Sequence, residues 1–143
     1  MSRQAVIDGL VGQIQLTSGF EQGNTGTAVA YDHRVLVQGI DRAAIVLAGE
    51  GEQKRMVMGL NELTHDIEVQ LFIRHNNDVI AARADADIYS HNIIVRINAN
   101  PTLGGSAFDS IVTRYRVEDE KMEIGRVPYL LEVLTVRAEE HIA

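Results

Sequence analysis

The sequence predicts an α+β fold: an antiparallel sheet of about four to five strands with two helices packed on one face. Three observations lead there. Val6, Ile7, Leu10, Val11 and Ile14 recur at helical spacing near the start. "HDIEVQLFIRH", His65 to His75, alternates apolar and polar residues as a half-buried strand does. Two more alternating runs close the chain after a second helical stretch, so the order is helix, two or three strands, helix, two strands.

Residues 2 to 17 read as an amphipathic helix with Ser2 as its N-cap. Gly9 and Gly12 each weaken it by roughly 1 kcal/mol relative to Ala, so packing must hold it in place. "SGFEQGNTGT", Ser18 to Thr27, is a run of turn formers and reads as a loop. Ala28 to Val37 reads as a hairpin or an extended arm. "RAAIVLA", Arg42 to Ala48, is bounded by Gly39 and Gly49 and predicts a buried strand. The charged "GEGEQKR", Gly49 to Arg55, predicts a projecting loop or the tip of a hairpin.

In the strand at His65 to His75, Ile67, Val69, Leu71 and Ile73 point one way, and Asp66, Glu68, Gln70 and Arg74 the other. Phe72 is the one apolar residue on the polar face. One face is thus buried, and the other is wet or joined to a partner. Asn76, Asn77 and Asp78 offer capping side chains for a helix from Val79 to about Asn98. Its apolar stripe is Ile80, Ala84, Ile88, His91 and Val95, with Ala81 beside them. Pro101 ends that helix, and Gly104-Gly105 allow positive φ on the way into a strand. A phosphate cradle needs glycines first and helix second, so this glycine pair is a turn.

"SIVTRYRVED" sets Ile111, Thr113, Tyr115 and Val117 against Val112, Arg114 and Arg116. "RVPYLLEVLTVRAEE" sets Val127, Tyr129, Leu131 and Val133 against Leu130, Glu132, Leu134 and Val136. The connector "EDEKMEIG" is acidic and reads as exposed.

The chain has 143 residues, enough for one domain, 1–143, with a single sizeable core. Thirteen Lys and Arg against twenty Asp and Glu leave a formal charge of −7. That balance argues against wrapping a nucleic-acid backbone, where affinity comes from neutralised phosphates. Without cysteine there is no disulfide scaffold, thiolate nucleophile or zinc ribbon. The first twenty residues are too polar for a signal peptide or a membrane span, and no other stretch reaches spanning length, so a soluble protein is expected.

No P-loop, Gly-x-Ser-x-Gly elbow or His-Glu-x-x-His helix is present, and no catalytic, cofactor-binding or metal-ligating residue is assigned. The arrangement nearest to chemistry is Asp87 and His91, four apart on a helix and able to share a metal. On these residues rests a reading of a different class, a small metal-dependent enzyme or ligand-binding module. It predicts that a third ligand, His65 or His75, approaches His91. The ordinary expectation for His91 is a hydrogen-bonded core histidine. His65 and Asp66 point to opposite faces of their strand and form no dyad.

Arg114 and Arg116 alternate on one strand face, and Arg74 is placed to join them, with Glu68 and Glu132 nearby in the pattern. Such a face is either solvated or a polar subunit contact. The loops 18–27 and 49–57 are ambiguous in the same way. The candidate interface residues are therefore Glu50, Glu52, Lys54, Arg55, Arg74, Arg114 and Arg116.

Leu103-Gly104-Gly105 after the second helix, Arg114 in the strand that follows, and "YLLEVLTV" from Tyr129 to Val136 carry a family resemblance. This half of the chain resembles the phage tail terminator and minor tail proteins. There a leucine-glycine-glycine after the helix leads into a strand ending in arginines, and the final strand closes the sheet. The N-terminal helix and "DRAAIVLAGEGE" match the family more loosely. The resemblance implies a structural virion protein and no enzyme or cofactor. It implies a homo-oligomeric ring, hexameric in the family, at the head-proximal end of a tail tube. The ring ends tube polymerisation and joins tail to neck, with the tail tube protein and head-completion or connector proteins as partners. Another head–tail connector or neck protein is the near alternative. The implied location is the virion's tail–neck junction, reached from the host cytoplasm. No membrane and no sequence-specific nucleic acid are implied, although DNA passes through the lumen.

Overall fold

The structure, a computed structural model, describes residues 2–20, 26–30, 40–57 and 59–142. Helix α1 covers Arg3–Gln15, and the Ser2 hydroxyl accepts the Ala5 N–H at 3.1 Å as its N-cap. Val6, Ile7, Leu10 and Ile14 are buried, as their spacing requires. Gly9 has a structural purpose: a Cβ there would lie 2.5 Å from Ser106 Oγ and 2.8 Å from the Leu103 carbonyl oxygen. Its bare backbone lets the helix touch the segment that follows the second helix.

Five strands form one sheet: β1 (Gly26–Ala30), β2 (Arg42–Val57), β3 (Leu60–Arg74), β4 (Asp109–Ile124) and β5 (Val127–Ile142), in the order β1-β2-β3-β5-β4. Four of them are antiparallel, and β1 adds in parallel at one edge beside the first residues of β2. With two helices on one face this is the expected α+β fold. Gly26 and Thr27, read as loop, begin β1, and Ala28 to Ala30 complete it. Residues 21–25 of that loop and 31–37 of the expected arm lie outside the described residues.

The segment at Gly49 to Arg55 is strand rather than loop. After a bulge between Ala48 and Gly51, β2 continues to Val57 opposite the start of β3. The segment is one arm of a long hairpin, and its charged residues fit because that arm is exposed. A Cβ on Gly49 would lie 2.5 Å from the Asp66 carbonyl oxygen, so the bulge needs a glycine.

Helix α2 covers Val79–Ala99, and the Asp78 carboxylate accepts the Ala81 N–H at 3.0 Å. Its buried residues are Ala82, Ala86, Ser90, Ile93 and Ile97. The expected stripe is the opposite face: Ile80 is 80% exposed, Ile88 56% and Val95 50%, and His91 is exposed too. Small side chains on the inward face let the helix lie close to the sheet, so the less bulky stripe is the one that packs. Asn100 caps the helix and Pro101 follows. A single 3-10 turn, Leu103–Gly105, holds Gly104 at φ 71° and Gly105 at φ 92° and leads towards β4, so the glycine pair turns the chain.

Strands β4 and β5 join through Gly125-Arg126, both at positive φ (59° and 67°), the pattern of a type I′ hairpin turn. The acidic connector expected here is therefore mostly strand. A bulge between Val112 and Arg114 reverses the faces of β4: Ile111 pairs with Arg137, but Tyr115 pairs with Leu134. Arg137 and Leu134 point to opposite sides of β5, so Ile111 and Tyr115 do not share a face as simple alternation predicts.

The sheet has apolar packing on both sides. The main core joins α1 and α2 to Ala44, Val46, Ile67, Val69, Leu71, Leu130, Leu134 and Val136. A second cluster on the other face contains Ala43, Ile45, Phe72, Tyr129 and Leu131, with the Phe72 and Tyr129 rings edge to face at 6.3 Å. Phe72, the exception to its strand's alternation, marks that second cluster.

Candidate interaction surface

Beyond the second cluster, the side of the sheet away from the helices is open. On β3 it presents Glu62, Thr64, Asp66 and Glu68, and on β5 Val133, Thr135, Arg137, Glu139 and His141. The β4 bulge turns Arg114 and Arg116 onto this same side, opposite Thr135 and Val133. Glu68, Arg114, Tyr115, Arg116, Val133 and Thr135 line a groove of about 470 Å³. Two adjoining hollows of about 260 Å³ extend it towards β2, bringing in Glu50, Asp66 and then Glu52 and Arg137.

Near the groove, Glu50, Glu52, Asp66 and Glu68 lie on β2 and β3, whereas Arg114, Arg116 and Arg137 lie on β4 and β5; further along the same face Lys54 stands on β2 opposite Glu62, and Asp109 on β4 opposite Glu139. Some of this charge is paired within the chain: Arg137 Nε donates to Asp66 Oδ1 at 3.3 Å, and Arg116 Nε to Glu118 Oε2 at 2.8 Å. Exposed pairs of this kind contribute about 0–1 kcal/mol each, so they hold these side chains only weakly.

Of the residues expected at an interface, Glu50, Glu52, Arg114 and Arg116 do gather on this face. Lys54 sits further along β2 opposite Glu62, and Arg55 opposite Asn61. Arg74 does not join Arg114: it pairs with Tyr129 at the other end of β3, whereas Arg114 faces Thr135 beside Glu68. Burial pushes the Tyr129 hydroxyl pKa up, and the Arg74 charge opposes that rise. Glu132 is also misplaced by the pattern, because it lies buried on the helix side near Ser90 and Asp87.

β4 is the outermost strand, with β5 its only partner among the described residues. Along its sixteen residues most positions are exposed, including Ile111 at 54%, Tyr115 at 63% and Val117 at 42%. An edge this long is a ready pairing surface, and it carries large exposed side chains. The bulges interrupt bare strand addition and leave those side chains as the accessible surface of β4. Alternation alone hid this edge, since nothing in one strand's sequence says which strand is outermost.

Asp87 and His91 lie exposed on α2, and among the described residues no third donor completes a metal site with them. His65 instead bonds Glu140, and His75 Nε2 bonds the Glu120 carbonyl oxygen at 2.8 Å. The expected approach of either histidine to His91 does not occur, and His91 is not a core residue. Among the described residues no helix is long and apolar enough to cross a membrane. No protein-family model matches the chain, and no curated protein matches it.

Proposed function

We propose that this protein is a structural virion subunit that assembles with copies of itself into a ring at the head-proximal end of a phage tail tube. There it ends tube polymerisation and joins the tail to the neck. The observation that carries the self-assembly is the bare β4 edge, with Ile111, Tyr115 and Val117 exposed beside Arg114 and Arg116, while Glu50 and Glu52 stand on β2 across the sheet. The β4 edge with its apolar side chains and the charged face beside it are unlike surfaces on one subunit, and a head-to-tail contact between unlike surfaces closes into a ring when the rotation per subunit closes. The placement at a tail rests on the resemblance carried by Leu103-Gly104-Gly105, Arg114 and Tyr129 to Val136, and six copies is the number it implies.

The test is negative-stain imaging and light scattering of the purified protein, alone and mixed with the tail tube protein of the same genome. Rings, or tubes capped at one end, are expected. Arg114→Glu with Arg116→Glu abolishes them, and adding Glu50→Arg and Glu52→Arg to that chain restores them. Monomers that neither assemble nor bind the tube would overturn the reading.

A further inference from the structure

The last strand ends in a cluster that the ring does not use. Glu62 on β3 stands directly opposite His141 on β5, and Glu139 lies two residues earlier on the same face of β5. One carboxylate oxygen from each glutamate and one imidazole nitrogen all lie within 4.8 Å of one another, and all three side chains are half-buried. Zinc binds nitrogen and oxygen ligands at about 2.0–2.2 Å, which puts tetrahedral donors roughly 3.4 Å apart. Small side-chain rotations close the difference.

Two features separate this cluster from a chance meeting of acidic residues. First, the imidazole is held in place. The His141 ring stacks on Phe108 at 4.0 Å with 24° between the planes, and the Phe108 N–H donates to the Glu139 carbonyl oxygen at 2.8 Å. One residue thus fixes both the ring and the backbone of a second donor. Second, no ion pair among the described residues neutralises the two carboxylates, although Lys54 stands opposite Glu62 on β2. Asp109, opposite Glu139 on β4, adds a further negative charge. Carboxylates brought together on one face repel unless a proton or a cation lies between them.

We propose that Glu62, Glu139 and His141 form a binding site for a divalent transition-metal ion of the zinc or manganese class. One imidazole and two carboxylates suit these ions, while magnesium and calcium prefer oxygen donors throughout. The metal ties the end of β5 to β3. Three protein ligands leave a coordination position for water or for a donor from a neighbouring molecule.

Untagged full-length protein, freed of metal by chelation, is titrated with Zn²⁺ and Mn²⁺ by calorimetry, with Mg²⁺ as the control. Co²⁺ is added separately to read imidazole and carboxylate ligation from its visible bands. One Zn²⁺ per chain with micromolar affinity is expected, with a rise in melting temperature. His141→Ala and Glu139→Gln each weaken binding about tenfold or more, while His91→Ala leaves it unchanged. Failure of the untouched protein to bind one equivalent overturns the proposal, and so does full binding in both site variants. Melting of each metal-free variant shows that it is folded. Should Glu139→Gln fail to fold, Glu62→Gln on the other strand replaces it.

Discussion

His65 Nε2 lies 2.9 Å from Glu140 Oε2, diagonally across the β3–β5 pair, with Glu140 only 1% exposed and His65 8%. His65 Nδ1 has no partner among the described residues. The pair therefore depends on one contact. Removing one member strands the other in the interior, and such losses run to about 3–5 kcal/mol. Glu140→Ala and His65→Ala should each lower stability by that order in urea unfolding. The double replacement His65→Leu with Glu140→Met should lose much less, because no polar group is then left alone.

Glu132 predicts the pH dependence. Burial, then the nearby Asp87 charge, raises its pKa from the ordinary 4.5 to about 7, and a hydrogen bond from Ser90 pulls the other way. Between those two values the folded chain holds a proton that the unfolded chain has released. Stability contributed by this group is thus full below about 4.5 and falls as pH rises through about 7. The loss is on the order of 3 kcal/mol. Glu132→Gln should stabilise the protein at pH 8 by a similar amount and flatten the slope across the window. Urea unfolding at several pH values, with and without the substitution, measures both.

The glycines of α1 should respond with opposite signs. A Cβ on Gly12 meets nothing within 4 Å, so Gly12→Ala adds helix propensity and stabilises by up to about 1 kcal/mol. A Cβ on Gly9 collides with Ser106 and the Leu103 carbonyl, so Gly9→Ala should destabilise by about 1–3 kcal/mol. Thermal unfolding of the two variants side by side separates the effects.

The orientation of α2 is tested by contrasting its faces. Ile93 is fully buried, and Ile93→Ala should cost about 2–5 kcal/mol. Ile88 is more than half exposed, and Ile88→Ser should stay within about 0.5 kcal/mol. A helix packed by its bulkier stripe would reverse that order in chemical unfolding.

The elements best read from sequence are those whose pattern has one interpretation. The alternation at Ile67, Val69, Leu71 and Ile73 has one apolar face, and those residues are in the core. Ser2, Asp78, Pro101 and Gly104-Gly105 act locally, so their effects were legible one residue at a time. In α2 the periodicity allows two apolar arcs on opposite sides, and only the sheet beneath chooses between them. At β4 the extra residue between Val112 and Arg114 reverses the side chains that follow as far as Val117, and the strand's own composition does not announce the bulge. The gathering of Glu50 and Glu52 with Arg114 and Arg116 was partly legible from their charge. Glu62, Glu139 and His141 were not, because about eighty residues of chain separate donors that only strand register brings together.

Among the described residues, the two apolar clusters on opposite faces of the sheet grip β2 and β3 at one end. At roughly 3.3 Å per residue, fifteen residues of β3 reach about 50 Å, so much of this hairpin extends beyond the grip. It is clamped where Phe72 and Leu71 pack on either side, and towards Asn61 the strand pairing with β2 and β5 continues. Amide protons of Val69 and Leu71 should exchange only when the whole molecule opens, and those of Gln53 to Arg55 through local fraying. A ring neighbour seated on the free end would carry the clamp outward and slow that fraying. Hydrogen exchange along one hairpin would therefore test the proposed assembly residue by residue.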